Sequence, residues 1–516
     1  GLGCGQKVQT VVGSDKKAPK CWIVVVPRDV EATDNVGTPF EVSSDGVVTS
    51  PLSAAVWKNR IAFNIEVSPV DPPCSFAGVE RRVSGSELSL PAVSSWQPAL
   101  CGAAALPPFS YAPIPDSNAR QQLTSGGLSN SGLVTISRPL SAEALDPASP
   151  VVYAPLTASG VVIGFQYERN PTTEAPKEES TLTGIRVAQI NLTPRLVAKL
   201  LTQSYRSAVE IKTAVPSYTW LSKNANTLIQ DPDFVQFNPE FKYLYVNDVR
   251  LGASLQLPQV SSDATLQLWE WILADPEAAA WLGGQPDQNG MRVNPVYNTS
   301  SALNPTGIAF ATPLPSSFPK ADPNCYIAEP ITVGNSKVTP PPLCSTDWVP
   351  YNRGFSDGAR IARVAYDGAR IEANPLPTSP ADAWKRLGPQ VLGSRIMFSI
   401  TDTPSASRYG VQMARLSRAG DNGPSRTFIA PNASGLSAGV ESLAAKDEPT
   451  FLEPKPSSNA PGAYPLTSLV YAAVKPLALS ASERSDYAGF LDYAATGGQV
   501  PGPDPGQLPF GYVPLP

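Results

Sequence analysis

The first 78 residues have the apolar and polar alternation that is typical of β-strands. A β-branched run over residues 21–26 ends at a proline, and residues 60–67 alternate apolar with polar side chains. The Asp45-Gly46 pair between them has the composition of a turn. We therefore predict that residues 1–78 form a small β-rich segment, either Ig-like or part of a sandwich.

From residue 79 onward the pattern changes to alternating strand and helix signals. Residues 151–155 and 160–165 are apolar runs that predict two buried strands. Thr193-Pro194 and Ser262 precede segments with helical spacing of Leu and Trp, so both are predicted helix starts. This alternation is typical of an α/β domain over residues 79–516.

A short repeat lies near the middle of the chain. The sequence DGARI occurs at residues 357–361 and again at 367–371, which predicts two turns of a hairpin or meander. Four arginines in or near this repeat could form either a cationic patch or an ordinary solvated face: Arg353, Arg360, Arg363 and Arg370.

Composition excludes several classes of protein and of catalytic site. Proline accounts for 56 of the 516 residues, which excludes a helical bundle. The net charge of −5 argues against a nucleic-acid partner, and no apolar run is long enough for a membrane span. Histidine is absent, which excludes Ser-His-Asp and Cys-His catalysis. The GLSAG sequence at residues 435–439 is therefore predicted to be a Gly/Ser loop rather than a nucleophile elbow.

No enzyme, cofactor or metal site is predicted, although a carboxylate-pair glycosidase stays open because Asp and Glu are plentiful. The six cysteines contain no C-x-x-C pair. Proximity along the chain predicts the disulfides Cys4–Cys21, Cys74–Cys101 and Cys325–Cys344. Disulfides indicate an oxidising compartment, so we expect a secreted or cell-surface protein whose leader, if it had one, was removed or lies upstream of Gly1.

Several segments of the α/β part occur in the order of a known family. They are residues 85–91 (GSELSLP), 111–123, 134–140 (VTISRPL), 153–165, 192–200, 230–239, 463–466 (AYPL) and 511–516 (GYVPLP). The chain resembles the phosphate-binding proteins of ABC transporters, which have the type II periplasmic-binding-protein fold. It looks closest to a divergent branch found in large secreted actinobacterial proteins.

The resemblance implies two α/β lobes, lobe I over residues 79–155 and 400–516 and lobe II over residues 165–395. It also implies an oxyanion site in the cleft, made of helix N-termini, hydroxyls and an arginine. Each hydroxyl has an alternative role as a helix cap. The candidate ligand residues are Ser89, Leu90, Asp116, Ser117, Ser137, Arg138, Ser261, Ser262, Asp263 and Thr265.

The chain departs from the family pattern at this site. Residues 258–265 (PQVSSDAT) lack the arginine and both glycines of the family's R-S-D-G-S-G-T-T segment. Arg138 stands where the family has an aspartate, and Asp263 would repel a dianion.

Two functions therefore remain. One is a structural, adhesive or assembly module with a degenerate ligand site, whose partners are other surface proteins or copies of itself. In that case Arg138 should pair with Asp116 or Asp263. The other is a solute-binding protein that captures phosphate or another small oxyanion, with Ser89, Ser117 and Ser262 converging on one pocket into which Arg138 reaches.

Overall fold

The structure is a computed structural model that separates into two compact units, Gly1–Ser75 and Phe76–Pro516. It describes residues 21–26, 57–65, 74, 79–102, 106–125, 131–208, 216–245, 255–319, 330–339, 351–366, 368, 371–374, 382, 384–446 and 450–515. In the smaller unit, β1 (Cys21–Val25) pairs antiparallel with β2 (Ile61–Ile65), as the strand pattern predicts.

Disulfide bonding is seen at Cys21, Cys74 and Cys101. Cys4, Cys325 and Cys344 lie outside the described residues, so the pairings Cys4–Cys21 and Cys325–Cys344 stay predictions. Cys74 and Cys101 are both bonded, and their pairing with each other also stays a prediction. Within the described ranges, no helix is both long enough and apolar enough to cross a lipid bilayer.

Short strands and short helices make up the larger unit. Its strands are β3 (Arg81–Gly85), β4 (Phe109–Pro113), β5 (Leu133–Ile136), β6 (Val152–Tyr167), β7 (Asn191–Leu192), β8 (Leu255–Pro258), β9 (Ile331–Val333), β10 (Ser336–Val338), β11 (Tyr351–Asn352), β12 (Ile371–Ala373), β13 (Trp384–Arg386), β14 (Ile396–Asp402), β15 (Gln412–Met413), β16 (Arg415–Ser417), β17 (Phe428–Ile429), β18 (Ala444–Ala445), β19 (Leu452–Glu453) and β20 (Thr467–Val474). Its α-helices are α1 (Leu90–Cys101), α2 (Asp116–Thr124), α3 (Lys177–Ser180), α4 (Pro194–Leu201), α5 (Pro232–Phe237), α6 (Asp263–Ala274), α7 (Pro276–Leu282), α8 (Phe355–Val364), α9 (Thr403–Tyr409), α10 (Ala433–Glu441) and α11 (Ala481–Ala495).

The main sheet follows the order β11-β8-β14-β6-β20-β5-β3-β4, with β15 also paired to β6. On one side of β6, strand β20 is antiparallel to β5, while β3 is parallel to both β4 and β5. On the other side, β14 is parallel to β8 and β8 is parallel to β11. This mixture of sheet and helix confirms the predicted α/β class.

Strand β6 joins the two halves of this sheet. Its residues 152–160 pair with β20, and its residues 161–167 pair with β14. Two separate strands are predicted here, but the intervening Leu156, Thr157 and Ala158 are buried, and pairing with β20 continues past an irregularity at Leu156, so a single 16-residue strand forms. The chain enters the second half through β6 and returns to the first between β14 and β20.

Two sequence predictions about turns are wrong. Residues 435–439, predicted to be a loop, lie in α10, where the side chain of Asn432 accepts a hydrogen bond from the Gly435 N–H and so caps the helix. A Cβ at Gly439 would lie 2.0 Å from Thr467 Oγ1, so the glycine allows α10 to approach β20 closely. The Asp357-Gly358 pair, predicted to be a turn, lies inside α8, and most of the second copy of the repeat is outside the described residues.

A cluster of buried charges packs α4 against α5; we call it the Lys199 cluster (Lys199, Arg195, Asp231, Asp233 and Asp287). Lys199 Nζ is fully buried and donates to Asp231 at 2.8 Å, to Asp233 at 3.1 Å and to Asp287 at 2.7 Å. Arg195 donates two hydrogen bonds to Asp233, each of 2.9 Å. Every charge in this cluster therefore has an opposite partner within hydrogen-bond distance.

Candidate functional site

A cavity of about 350 Å³ lies at the ends of β4 and β8, beside the starts of α2, α6 and α8. We call it the cleft cavity. Its wall includes Glu87, Asp116, Ser261, Ser262, Arg353, Gly354, Phe355, Ser356, Asp357 and Arg360. The N-termini of α6 and α8 both lie at this wall, so the positive end of each helix dipole and its first N–H groups lie at the cavity.

A glutamate of the protein occupies the N-terminus of α8. The Glu87 carboxylate accepts hydrogen bonds from the backbone N–H of Phe355 at 3.0 Å and of Ser356 at 3.2 Å. A Cβ at position 354 would lie 2.1 Å from Glu87 Oε2, so only the glycine leaves room for this carboxylate. Burial raises the pKa of Glu87 despite the two N–H groups that favour its charged form.

An aspartate meets the N-terminus of α6 in the same way. Asp116 is 2% exposed, and its Oδ2 accepts a hydrogen bond of 3.1 Å from the backbone N–H of Asp263. Asp116 Oδ1 has no hydrogen-bond partner within the described part of the chain. Burial, followed by the repulsion of Asp263, raises the pKa of Asp116 to about 8. We refer to Glu87 and Asp116 as the cleft carboxyls.

The start of α6 satisfies its other polar groups internally. The Ser262 side chain accepts a hydrogen bond from the Thr265 N–H at 3.2 Å and so caps the helix. Asp263 receives two hydrogen bonds from Arg120, at 2.5 and 2.9 Å. Ser262 therefore caps the helix through the Thr265 N–H, and Asp263 pairs with Arg120. Ser261 lies at the cavity wall.

The remaining hydroxyl candidates do not converge on the cavity. Ser89 is the N-cap residue of α1, directly before Leu90, but its buried hydroxyl lies 3.1 Å from Thr157 Oγ1 and makes no cap bond. Ser117 is exposed, and Ser137 is buried with no partner for its hydroxyl within the described ranges. The predicted convergence of Ser89, Ser117 and Ser262 on one pocket is not what the structure has.

Arg138 has a partner other than the predicted ones. It donates two hydrogen bonds to Glu270, at 3.0 and 2.5 Å, instead of pairing with Asp116 or Asp263. The two side chains line a separate cavity of about 670 Å³. The reason is position: Glu270 lies two turns beyond Asp263 on α6, and Arg120 already satisfies Asp263.

Sequence reasoning missed Glu87 and Arg120 as site residues. Arg120 stands four residues after Asp116, so the two share one face of α2, which is a readable signal. Glu87 meets a backbone segment 268 positions away, and no local pattern indicates that contact. Within the described residues, His, Cys, Asp and Glu side chains form no group of three or more suited to a metal ion.

No protein-family model and no curated protein matches the chain. Three solved structures illustrate the similarities that were found. One is a putative phosphate ABC transporter substrate-binding protein with bound phosphate from Clostridium perfringens, at 9% identity and a TM-score of 0.35, covering 82% of this chain and 95% of the other. The second is PfluDING, a high-affinity periplasmic phosphate-binding protein with bound phosphate, at 12% identity and a TM-score of 0.41, covering 85% and 91%. The third is a phosphate-binding protein from Stenotrophomonas maltophilia, at 11% identity and a TM-score of 0.38, covering 81% and 84%. At this level of similarity, the ligand and the activity of this chain must be argued from its own geometry.

Proposed function

We propose that this protein is a secreted or cell-surface structural, adhesive or assembly module, built on a phosphate-binding-protein-like fold, that does not capture phosphate. The observation that carries the proposal is the position of the cleft carboxyls. Glu87 and Asp116 take up the backbone N–H groups of α8 and α6 that an oxyanion would otherwise use.

Charge in the cleft supports the same conclusion. A phosphate dianion bound here would lie near Glu87 and Asp263 and would oppose the ionisation of Asp116, because like charges in a buried site are strongly unfavourable. Two nearby cations are already engaged, because Arg120 pairs with Asp263 and Arg138 pairs with Glu270. An anion would have to displace one of these carboxylates in order to use either arginine.

The surface role follows from two further properties of the chain. Disulfide bonds at Cys21, Cys74 and Cys101 suit an oxidising compartment. The β-rich unit before the α/β unit adds an element that small-molecule capture does not require. The partners in this role are other surface proteins or copies of the same chain.

Calorimetry tests the proposal directly. Phosphate, sulfate and a phosphonate titrated into the full chain should give no binding tighter than about 1 mM. The Glu87→Ala variant should gain weak phosphate affinity, because it frees the N–H groups of Phe355 and Ser356. Glu143→Ala, at an exposed glutamate, is the matched control and should gain none. Micromolar phosphate binding by the unmodified chain would overturn the proposal and favour oxyanion capture instead.

Sedimentation velocity tests the assembly role. A chain that assembles with copies of itself should show a concentration-dependent sedimentation coefficient, and a chain that binds another surface protein should stay monomeric until that partner is added. A monomer that binds phosphate at micromolar concentration would contradict both forms of the role.

A further inference from the structure

The cleft cavity keeps one buried polar atom that the fold itself leaves unsatisfied. Asp116 lies at the cavity wall, it is 2% exposed, and its Oδ1 has no partner within the described residues. A buried oxygen without a partner is unfavourable, so such an atom marks a position where a ligand group would be stabilised.

The cavity wall also holds a cation. Arg353 lines the cavity and is exposed, and its guanidinium makes no hydrogen bond or ion pair with any other described residue. The neighbouring Arg360 differs, since it donates two hydrogen bonds to Asp357 at 3.1 and 2.7 Å. The cavity thus offers one buried carboxyl oxygen and one arginine to a ligand.

We propose that the cleft cavity binds a small zwitterion of α-amino-acid size, with its ammonium group on Asp116 Oδ1 and its carboxylate on Arg353. A volume of about 350 Å³ lies within the usual range of small-molecule sites. The hydroxyls of Ser261 and Ser262 and the ring of Phe355 complete a wall of mixed polarity. This inference goes beyond the proposed function, because a cleft that rejects phosphate still holds this cavity.

Charge balance favours a zwitterion over an anion or a simple amine. In the complex the ligand ammonium offsets the charge that Asp116 acquires, and Arg353 offsets the ligand carboxylate, while the positive end of α8 offsets part of the charge on Glu87. A ligand that carries both charges therefore supplies an opposite partner for each of these two residues. A second carboxylate without an ammonium group would instead add net negative charge beside the cleft carboxyls.

Binding should release a proton. In the free protein, burial and the repulsion of Asp263 raise the pKa of Asp116 to about 8, so its carboxyl is mostly protonated at pH 7. The charged groups that face it are Arg120 on its own helix and Asp263 on α6, while the hydroxyl of Tyr111 on β4 lies nearby. An ammonium group that donates to Oδ1 favours the carboxylate, so the carboxyl proton passes to solvent and binding strengthens as the pH rises toward 8.

Isothermal titration calorimetry on the full chain tests the proposal. The probes are alanine, glutamate, lysine and phenylalanine, together with propylamine and propionate, which each carry only one of the two charged groups. At least one amino acid should bind with a dissociation constant below about 1 mM, and about tenfold more tightly than either single-group probe. Titrations at pH 7 in two buffers of different ionisation enthalpy should show release of close to one proton per ligand bound.

Variants locate the site. Asp116→Asn keeps an acceptor for the Asp263 N–H, and it should lower the affinity about tenfold and abolish proton release. Arg353→Gln, at an exposed position that will fold normally, should lower the affinity at least about threefold. The matched control is Arg363→Gln, on α8 but outside the cavity wall, which should bind like the unmodified chain.

Three outcomes would overturn the inference. They are no amino-acid binding up to about 10 mM, unchanged binding in both Asp116→Asn and Arg353→Gln, and equally tight binding of propylamine or propionate. None of them bears on the proposed function, which is tested by oxyanion titration and by sedimentation velocity. Conversely, phosphate binding would overturn that function while leaving the amino-acid titration to be judged on its own result.

Discussion

The Lys199 cluster and the cleft carboxyls are both buried charges in the same unit, and they are arranged in opposite ways. In the Lys199 cluster each carboxylate faces a cation, and although burial alone would raise the pKa of Asp233, Lys199 and Arg195 outweigh it and hold that pKa below its usual range. In the cleft, burial and then the like charge of Asp263 raise the pKa of Asp116.

This difference in charge pairing distinguishes a structural core from a candidate binding site. Paired buried charges specify one arrangement and leave nothing for a ligand to satisfy. An unpaired buried carboxyl is unfavourable for folding, and such positions are common where a protein binds something. Charge pairing, rather than the number of charges, therefore distinguishes the two regions.

The largest expected effect comes from breaking the paired region. Lys199→Met should lower the free energy of unfolding by about 3–5 kcal/mol, because it leaves Asp231 and Asp287 buried without the cation they share, while Asp233 keeps only Arg195. Urea denaturation monitored by tryptophan fluorescence measures the change. Lys177→Met, at an exposed lysine, should change it by less than about 0.5 kcal/mol. If the free energy of unfolding of the Lys199 variant lay within about 1 kcal/mol of that of the unmodified chain, the proposed difference between the two regions would be wrong.

An intermediate effect is expected at Asp116, and it depends on pH. The pKa of Asp116 is raised to about 8 in the folded state, above its ordinary value of 3.8, so the folded state binds more protons between these two values. The contribution of Asp116 to stability is therefore full below about pH 4 and is lost as the pH rises to about 8.

Asp116→Asn should remove this part of the pH dependence, so its stability relative to the unmodified chain should rise between pH 4 and pH 8. Urea denaturation at several pH values measures it. Asp402, whose pKa burial raises to about 7, adds a similar slope that the variant retains. Parallel stability curves for the variant and the unmodified chain would show that Asp116 titrates normally.

The smallest expected effect is at Arg138. Its side chain is 23% exposed and that of Glu270 is 28% exposed, so solvent weakens their interaction. Arg138→Gln should lower the free energy of unfolding by about 1 kcal/mol or less. A double-mutant cycle with Glu270→Gln measures the coupling, and a coupling above about 2 kcal/mol would place this pair with the Lys199 cluster rather than apart from it.

Local signals predicted much of the fold. Thr193 and Ser262 both cap the helices that follow them, as the sequence predicts from Thr-Pro and Ser-Asp at the start of apolar periodic segments. The apolar run at residues 160–165 lies in β6, fully buried in the sheet. These features depend on neighbours along the chain, which is why a single sequence is sufficient for them.

Contacts between distant segments were not predictable in the same way. Asp357-Gly358 has the composition of a turn, yet the helix forms because Gly358 packs against Ser399, where a Cβ would lie 2.4 Å from its hydroxyl. Likewise, the partner of Asp263 is Arg120, 143 positions earlier in the chain. In the first case, tertiary packing overrides the local preference of Asp-Gly for a turn. In the second, the fold determines which of several arginines pairs with Asp263.

Strand β6 has a consequence for mechanical load. Its 16 residues extend for roughly 50 Å. Strand β20 pairs with the first part of β6 along one edge, and β14 pairs with the second part along the other edge. A tensile force that draws the two halves of the sheet apart along this strand must shear a row of interstrand hydrogen bonds simultaneously, instead of peeling them open in succession. A load applied in this direction would therefore be borne by the whole row of hydrogen bonds that β6 makes with β20 and β14.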